Sequence, residues 1–337
     1  MENTDKKPED RNLLHLVYGD VTLGIHGSRD GAEFHYLFSY TAGGMESLVS
    51  GGMEWLYRPP RPCFWRAFTD NDRGNGFVLK SGMWLGADQF IRCGKITIWV
   101  DGEKIPFPSA PENNKYTGRE TASKVRIAYT YETVTVPPAQ TEVFYEIDVR
   151  GAIQIRAHYH GMQGLPELPL FGMRFVMPTC ADGFTYEGLS GETYPDRKAG
   201  GIPGIYKVKG LPVTPYLVPQ DCGMHMDTSW VEIQRSRRLD NRKSVSGSAP
   251  LRFQCEKGRL FAFSCLPYTA SELENALHQE ELPPPRRTVL GIFGAVRGVG
   301  GIDSWGADVE NAYRIDAEND IRYAFGIQPG AEEKNTV

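Results

Sequence analysis

A chain of 337 residues that is 40% hydrophobic and 11% aromatic has enough apolar surface to offset the entropy of ordering, which excludes a disordered or fibrous protein. Its formal net charge of -5 offers no counter-charge to a phosphate backbone, and the densest basic piece, Arg235-Ser236-Arg237-Arg238, is short, so composition argues against nucleic-acid binding. No run approaches the roughly 20 apolar residues of a membrane helix, which argues against a membrane protein.

The opening MENTDKKPEDRN is charged and lacks the apolar stretch of a secretory signal, so residues 1–12 read as a mobile tail and the cytoplasm as the expected compartment. FWRAFTDNDRGNG (64–76) mixes aromatics, carboxylates and turn residues in a loop, and SGMWLGADQFI (81–91) follows as a candidate short helix. Period-2 runs rich in Val, Ile, Tyr, Phe and Thr then recur: KITIWV (95–100), KVRIAYTYETVTV (124–136), TEVFYEIDV (141–149), AIQIRAHYH (152–160) and MRFVM (173–177). Alternation of this kind marks half-buried strands. Two further polar loops, GLSGETYPDR (188–197) and TPYLVPQDCGMH (214–225), precede SWVEIQR (229–235), LRFQC (251–255) and RLFAFSC (259–265). YTASELENALHQEELPPP (268–285) is the best helix, with Thr269 and Glu272 as a capping box and Pro283 to Pro285 as its stop. TVLGIF (288–293), the glycine-rich GVGGIDSWGADV (298–309), IRYAF (321–325) and a tail over 328–337 complete the chain. With 37 glycines and 23 prolines falling mostly between the runs, the expected fold is mainly β, a single large antiparallel sandwich with one or two short helices.

Familiar chemical signatures fail in turn. From Gly298 a dinucleotide fingerprint needs glycine or alanine at Asp303, and no Gly-Lys-Ser/Thr is present. GLSGETY places Ser190 between glycines at the wrong spacing for a nucleophile elbow. Cys63, Cys93, Cys180, Cys222, Cys255 and Cys265 contain no C-x-x-C and read as reduced thiols. His158 and His160 share one face of a strand, a geometry open to metals and acid–base chemistry, but no third ligand stands at a recognisable spacing. Trp305 is left unexplained: it sits among glycines and aspartates, where no hydrophobic period buries it.

FWRAFTDNDRG, YEGLSGETYPDR, TPYLVPQDCGMH and GGIDSWGADV, in that order, resemble the C-terminal domain of the large β-galactosidases of glycoside hydrolase family 2. NNKYT, ELPLFGMRF and PYTASELENA extend the likeness to the free-standing small subunits of heterodimeric β-galactosidases. The resemblance covers roughly residues 13 to 327 and implies that they form one domain. It implies a large antiparallel super-sandwich of galactose mutarotase-like type, and a large-subunit partner that carries the acid/base and nucleophilic glutamates of lactose hydrolysis together with Mg2+. Na+ is a second family ion, no metal ligand is assigned in this chain, and the chain alone is expected to be inactive.

By the same resemblance Trp305 offers its face to sugar at the active-site mouth. Gly74, Asn75 and Gly76 form an active-site loop, although Gly76 stands where the best-known single-chain form has a hydroxyl residue. Asp70, Asn71, Asp72, Asp303 and Ser304 support the two loops; the resemblance carries no catalytic role to Tyr194, Pro195, Asp196 and Arg197, which are expected to buttress the site or the subunit contact. Two other readings stay open: a self-sufficient sugar epimerase, which needs a His and a Glu converging in the sandwich cleft, and a carbohydrate-binding module resting on Trp305 alone.

Overall fold

Strand alternation decides the architecture. In Gln140–Asp148 every second residue is buried (Thr141, Val143, Tyr145, Ile147), and in Ile153–Tyr159 the buried set is Ile153, Ile155, Ala157 and Tyr159. One-sided burial of this kind demands a second layer. The computed structural model describes residues 13–107, 110–111, 117, 119–239 and 249–329; the expected 1–12 tail, residues 330–337 of the C-terminal tail and most of NNKYT lie outside them.

The first layer is a ten-stranded antiparallel sheet. From edge to edge it runs Pro203–Lys209, Gly183–Leu189, Trp230–Gln234, Leu251–Cys255, Ile321–Gln328, Ile153–Tyr159, Gln140–Asp148, Lys124–Glu132, Arg92–Val100 and Glu103–Ile105. Two smaller antiparallel sheets form the second layer. One has six strands, Met53–Glu54, Gly44–Ser50, Ala32–Ser39, Thr22–Arg29, Leu14–Tyr18 and Thr121–Ala122; the other has five, Met224–Thr228, Phe261–Leu266, Thr288–Val296, Leu170–Met177 and Arg58–Cys63.

A shared core joins the layers. Phe38 meets Tyr145 edge-on at 5.4 Å between ring centroids, and Phe175 packs against both Phe253 and Phe325. Tyrosine hydroxyls close the remaining gap: Tyr36 donates to the Gly151 carbonyl at 2.7 Å and Tyr131 to that of Gly43 at 2.7 Å. A hydroxyl that finds a backbone acceptor lets a large ring be buried without an orphaned polar atom. The mainly β, antiparallel expectation is therefore met, and the six cysteines are free thiols.

Three expectations need correction. Five strands of the six-stranded sheet lie within residues 14–54, a stretch whose sequence predicts no strand because glycines and histidines interrupt its apolar alternation. The helix expected over 81–91 lies earlier: α1 (Asp70–Gly74) and α2 (Phe77–Ser81) are helical, a 3-10 turn covers Gly82–Trp84, and Gly86 at φ +75° diverts the chain. The helix α3 (Ala270–Glu274) has the expected Thr269–Glu272 capping box, with Thr269 N donating to Glu272 Oε2 at 2.8 Å, but stops at Asn275, well before the prolines.

Phe175 bridges the layers, so Phe175→Ala is expected to cost about 3–5 kcal/mol by leaving a cavity between them. Urea unfolding measures this; a loss under about 1 kcal/mol would mean that the bridge does not matter.

Candidate functional site

The first polar motif folds locally because of its cap. Thr69 is the N-cap of α1, its hydroxyl accepting from Asp72 N at 3.2 Å while Asp72 Oδ2 accepts from Thr69 N at 3.0 Å. This reciprocal box places a carboxylate inside the protein. Asp72 is fully buried, with Arg66 Nη1 at 2.7 Å from Oδ2 and Arg297 Nη1 at 3.2 Å from Oδ1. Arg66 also donates to the Gly298 carbonyl at 3.2 Å. Burial opposes the charge of Arg66, but Asp72 and Asp221 outweigh it and hold its pKa above the ordinary value. Arg297 reaches Asp308 at 2.6 Å and covers the Phe77 ring at 3.7 Å. Burial works against the Asp308 carboxylate too, yet Lys80, Arg297 and the Val309 N–H keep its pKa below the usual range.

On this cluster the other motifs are assembled. Asp196 accepts from Val299 N at 3.0 Å and Gly300 N at 2.7 Å, Arg197 donates to the Gly300 carbonyl, and Asn71 Nδ2 donates to the Val299 carbonyl at 2.9 Å. A Cβ at Gly298 would lie 2.7 Å from Asp196 Cγ, so only glycine admits that carboxylate. Tyr194 donates to Asp221 at 2.8 Å, and Gln220 pairs with both the backbone N–H and the side chain of Asp70. All four motifs thus meet around one open cleft of about 880 Å³, with Asp70, Asn71, Tyr194, Arg197, Gly301, Asp303 and Ser304 among its lining residues.

Trp305 stands at the end of the same loop, 93% exposed. Asp303 Oδ1 accepts from Trp305 N at 2.9 Å and Ala307 N at 3.1 Å, which fixes the backbone and leaves the ring outside. A Cβ on Gly306 would come within 3.0 Å of the Gly74 carbonyl, so the loop packs directly on the end of α1. The structure therefore brings the expected loop residues beside Trp305. It corrects one of them: Gly74 belongs to the last turn of α1, and the connection is only Asn75 and Gly76, the latter at φ +77°. Ile302 and Tyr216 in the cleft region, Leu217 and, on α2, Leu79 are exposed as well, the last two about as fully as Trp305 (89% and 91%).

Several of the residues that hold the cleft had not been singled out. Arg66 and Asp221 lie inside quoted motifs and Arg297 just before one, but nothing in a linear sequence marks which arginine is buried. Of the carboxylates that line the cleft, Asp70 is engaged by Arg73 and Gln220, Glu192 by the Thr214 hydroxyl, Asp221 by the Tyr194 hydroxyl and Asp303 by backbone N–H groups. The cleft lining includes no histidine. His158 and His160 lie instead on the outer side of the ten-stranded sheet, where His158 is in register with Glu142 and a third ligand-type side chain that no sequence spacing marked stands beside both rings.

Fold and cleft together define a β-sandwich protein that presents an aromatic side chain at the edge of a rigid polar cleft. The chain belongs to the β-galactosidase small-chain family, whose model matches residues 30–327. It is 61% identical to the β-galactosidase small subunit of Latilactobacillus sakei over 97% of this chain and 99% of that one. It is 31% identical to a β-galactosidase of Halalkalibacterium halodurans, covering 96% of this chain but 29% of the relative. Among solved structures, a putative aldose 1-epimerase of Escherichia coli K12 aligns over 94% of this chain and 98% of that one at 8% identity and a TM-score of 0.40, a likeness too slight to bear on function.

Two outcomes test the site. Asp72→Asn strands two buried guanidinium groups and is expected to cost about 3–5 kcal/mol in urea unfolding. Burial pushes Asp221 up to about 6, against the pull of Arg66 and the Tyr194 hydroxyl, with Glu192 adding to the rise. A carboxyl whose folded pKa is raised stabilises the fold below its unfolded pKa, about 4, and loses that contribution as pH rises through the folded value. The stability of the parent relative to Asp221→Asn should accordingly fall by about 1–3 kcal/mol between pH 4 and pH 7; a flat difference would place the Asp221 pKa in the ordinary range.

Proposed function

We propose that this chain, as one domain over residues 13–327, completes the active site of a large β-galactosidase chain of glycoside hydrolase family 2 and has no hydrolase activity alone. One observation carries the reading. Trp305 is held outside the protein on a loop stiffened by Asp303, beside a cleft where four motifs converge. An exposed indole on an ordered backbone is a surface prepared for a partner or ligand.

Retaining glycoside hydrolysis needs an acid/base carboxylate and a nucleophilic carboxylate about 5 Å apart. Behind the cleft, Asp72 and Asp196 are committed to Arg66 and Arg297 and to backbone N–H groups, and in its lining Asp70 is bound to Arg73 and Gln220, Glu192 to Thr214, Asp221 to Tyr194 and Asp303 to backbone N–H groups. They are therefore spoken for as structural anchors. The two catalytic glutamates and Mg2+, which polarises oxygen when bound, are assigned to the large chain. This chain's part is to bring the Trp305 face against the C–H face of a β-galactoside such as lactose, with Asn75 and Gly76 as the neighbouring loop. Leu79 and Leu217 are apolar groups suited to burial against the large chain. The enzyme is assigned to the cytoplasm; the acidic net charge argues against a nucleic-acid partner, and among the described residues no helix is long and apolar enough to cross a membrane.

The epimerase alternative is disfavoured by the absence of histidine from the cleft lining, and the lone binding module by the extent of the apolar surface left open beyond Trp305. The purified chain should not hydrolyse a chromogenic β-galactoside, and activity should appear on co-expression with a large chain of the family. Hydrolysis or mutarotation by the chain alone would overturn the reading. In the assembled enzyme Trp305→Ala should weaken substrate or acceptor-sugar binding by about 1–3 kcal/mol, the scale of a lost aromatic platform, without preventing assembly. Unchanged kinetics would remove Trp305 from the site.

A further inference from the structure

On the outer face of the ten-stranded sheet, Glu142 and His158 are direct cross-strand partners. The alternation that buries Val143, Ala157 and Tyr159 turns both of them outward. His160 lies just past the strand, yet its N–H still pairs with the Gln140 carbonyl at 3.0 Å. Its ring therefore stays on the same side, 3.8 Å from that of His158 between centroids. His160 Nε2 is 3.2 Å from Glu142 Oε2, and His158 Nε2 is 2.7 Å from Asp320 Oδ2. Donor atoms of Glu142, His158 and His160 all fall within 4.8 Å of one another.

The scaffold under these groups is stiff. Gly161, immediately after His160, presses on the backbone before the last strand so closely that a Cβ would come within 2.1 Å of the Glu318 carbonyl oxygen. Its N–H donates to Asp320 Oδ1 at 3.0 Å, while Met162 N and the Tyr159 hydroxyl both donate to the Ala317 carbonyl, at 3.0 and 2.9 Å. Asp320, also 3.1 Å from Arg322, is thus placed by the backbone as well as by His158.

Two imidazoles and one carboxylate, with a second carboxylate behind one ring, make a donor set for a borderline transition ion such as Zn2+, Ni2+ or Cu2+, not for the harder Mg2+ or Ca2+. A tetrahedral ion with bonds of about 2.0–2.1 Å spaces its donors about 3.3 Å apart, which side-chain rotations of roughly an ångström would reach here. We propose that Glu142, His158 and His160 bind a divalent transition-metal ion, with Asp320 accepting from His158 and so orienting it. The carboxylate–histidine pair is the arrangement that fixes the tautomer of a metal-binding imidazole, leaving His158 Nδ1 as its ligand atom. The ion would tie strand Gln140–Asp148 to strand Ile153–Tyr159. None of these residues lines the cleft, so the site stands independently of the function proposed for it.

The test uses the full chain, stripped with chelator and titrated with Ni2+ by calorimetry, and with Cu2+ followed by electron paramagnetic resonance. Expected are one ion per chain, nitrogen hyperfine structure from two imidazoles, and a rise in Tm on metal addition. His158→Ala and His160→Ala should each weaken binding by 100-fold or more, and Asp320→Asn by about 10-fold. All three variants should melt with the parent in chelator, since the side chains are partly exposed. Cys255→Ser, which alters a partly exposed thiol on another strand, should leave binding unchanged. No saturable binding below about 1 mM, or binding that survives the double variant His158→Ala/His160→Ala, would overturn the site and leave the four side chains as ordinary histidine–carboxylate pairs.

Discussion

The interaction on which the rest of the cleft depends is the sharing of one buried carboxylate, Asp72, between two buried arginines, Arg66 and Arg297. A charge without water must be paired, and a pair whose partners come from distant parts of the chain fixes those parts relative to each other. Arg66 lies in the first motif and Arg297 immediately before the glycine-rich stretch, so α1 and the Trp305 loop are positioned by the same electrostatic constraint. Asp308 and Glu167 complete the neutralisation of Arg297 from the partly exposed side. The cluster explains why a region so rich in glycine nevertheless holds one shape.

Glycine is used there for closeness as well as for backbone freedom. Gly298 admits Asp196, Gly301 admits Asn71 and Gly306 admits the Gly74 carbonyl. Each is a point at which one motif touches another. Positive φ at Gly300, Gly301 and Gly306 adds the turns that bring the chain out and back. The motifs are consequently one structural object, although more than 200 residues separate the first from the last.

Much of the fold was legible because its signal is local. Strands such as Gln140–Asp148 alternate cleanly, and the Thr269–Glu272 box is written in four consecutive residues. The six-stranded sheet was not legible: His15, His26 and His35 stack across neighbouring strands on its exposed side, and residues of that kind break the apolar pattern without breaking the strand. DNDRG looked like a loop because its carboxylates suggested solvent, whereas Asp72 is an internal cap. The same limit hid the partner of His158. Glu142 is 16 residues away in sequence and opposite in register, and register is a property of the folded sheet.

The Asp303 turn has a further consequence for any ligand that meets Trp305. Because two backbone N–H groups are already tied to one carboxylate, a binding event need only settle the torsions of the indole itself. Ordering a loop on contact would carry a far larger entropic penalty, since each residue fixed costs about 1–2 kcal/mol. That ordering is completed when the chain folds.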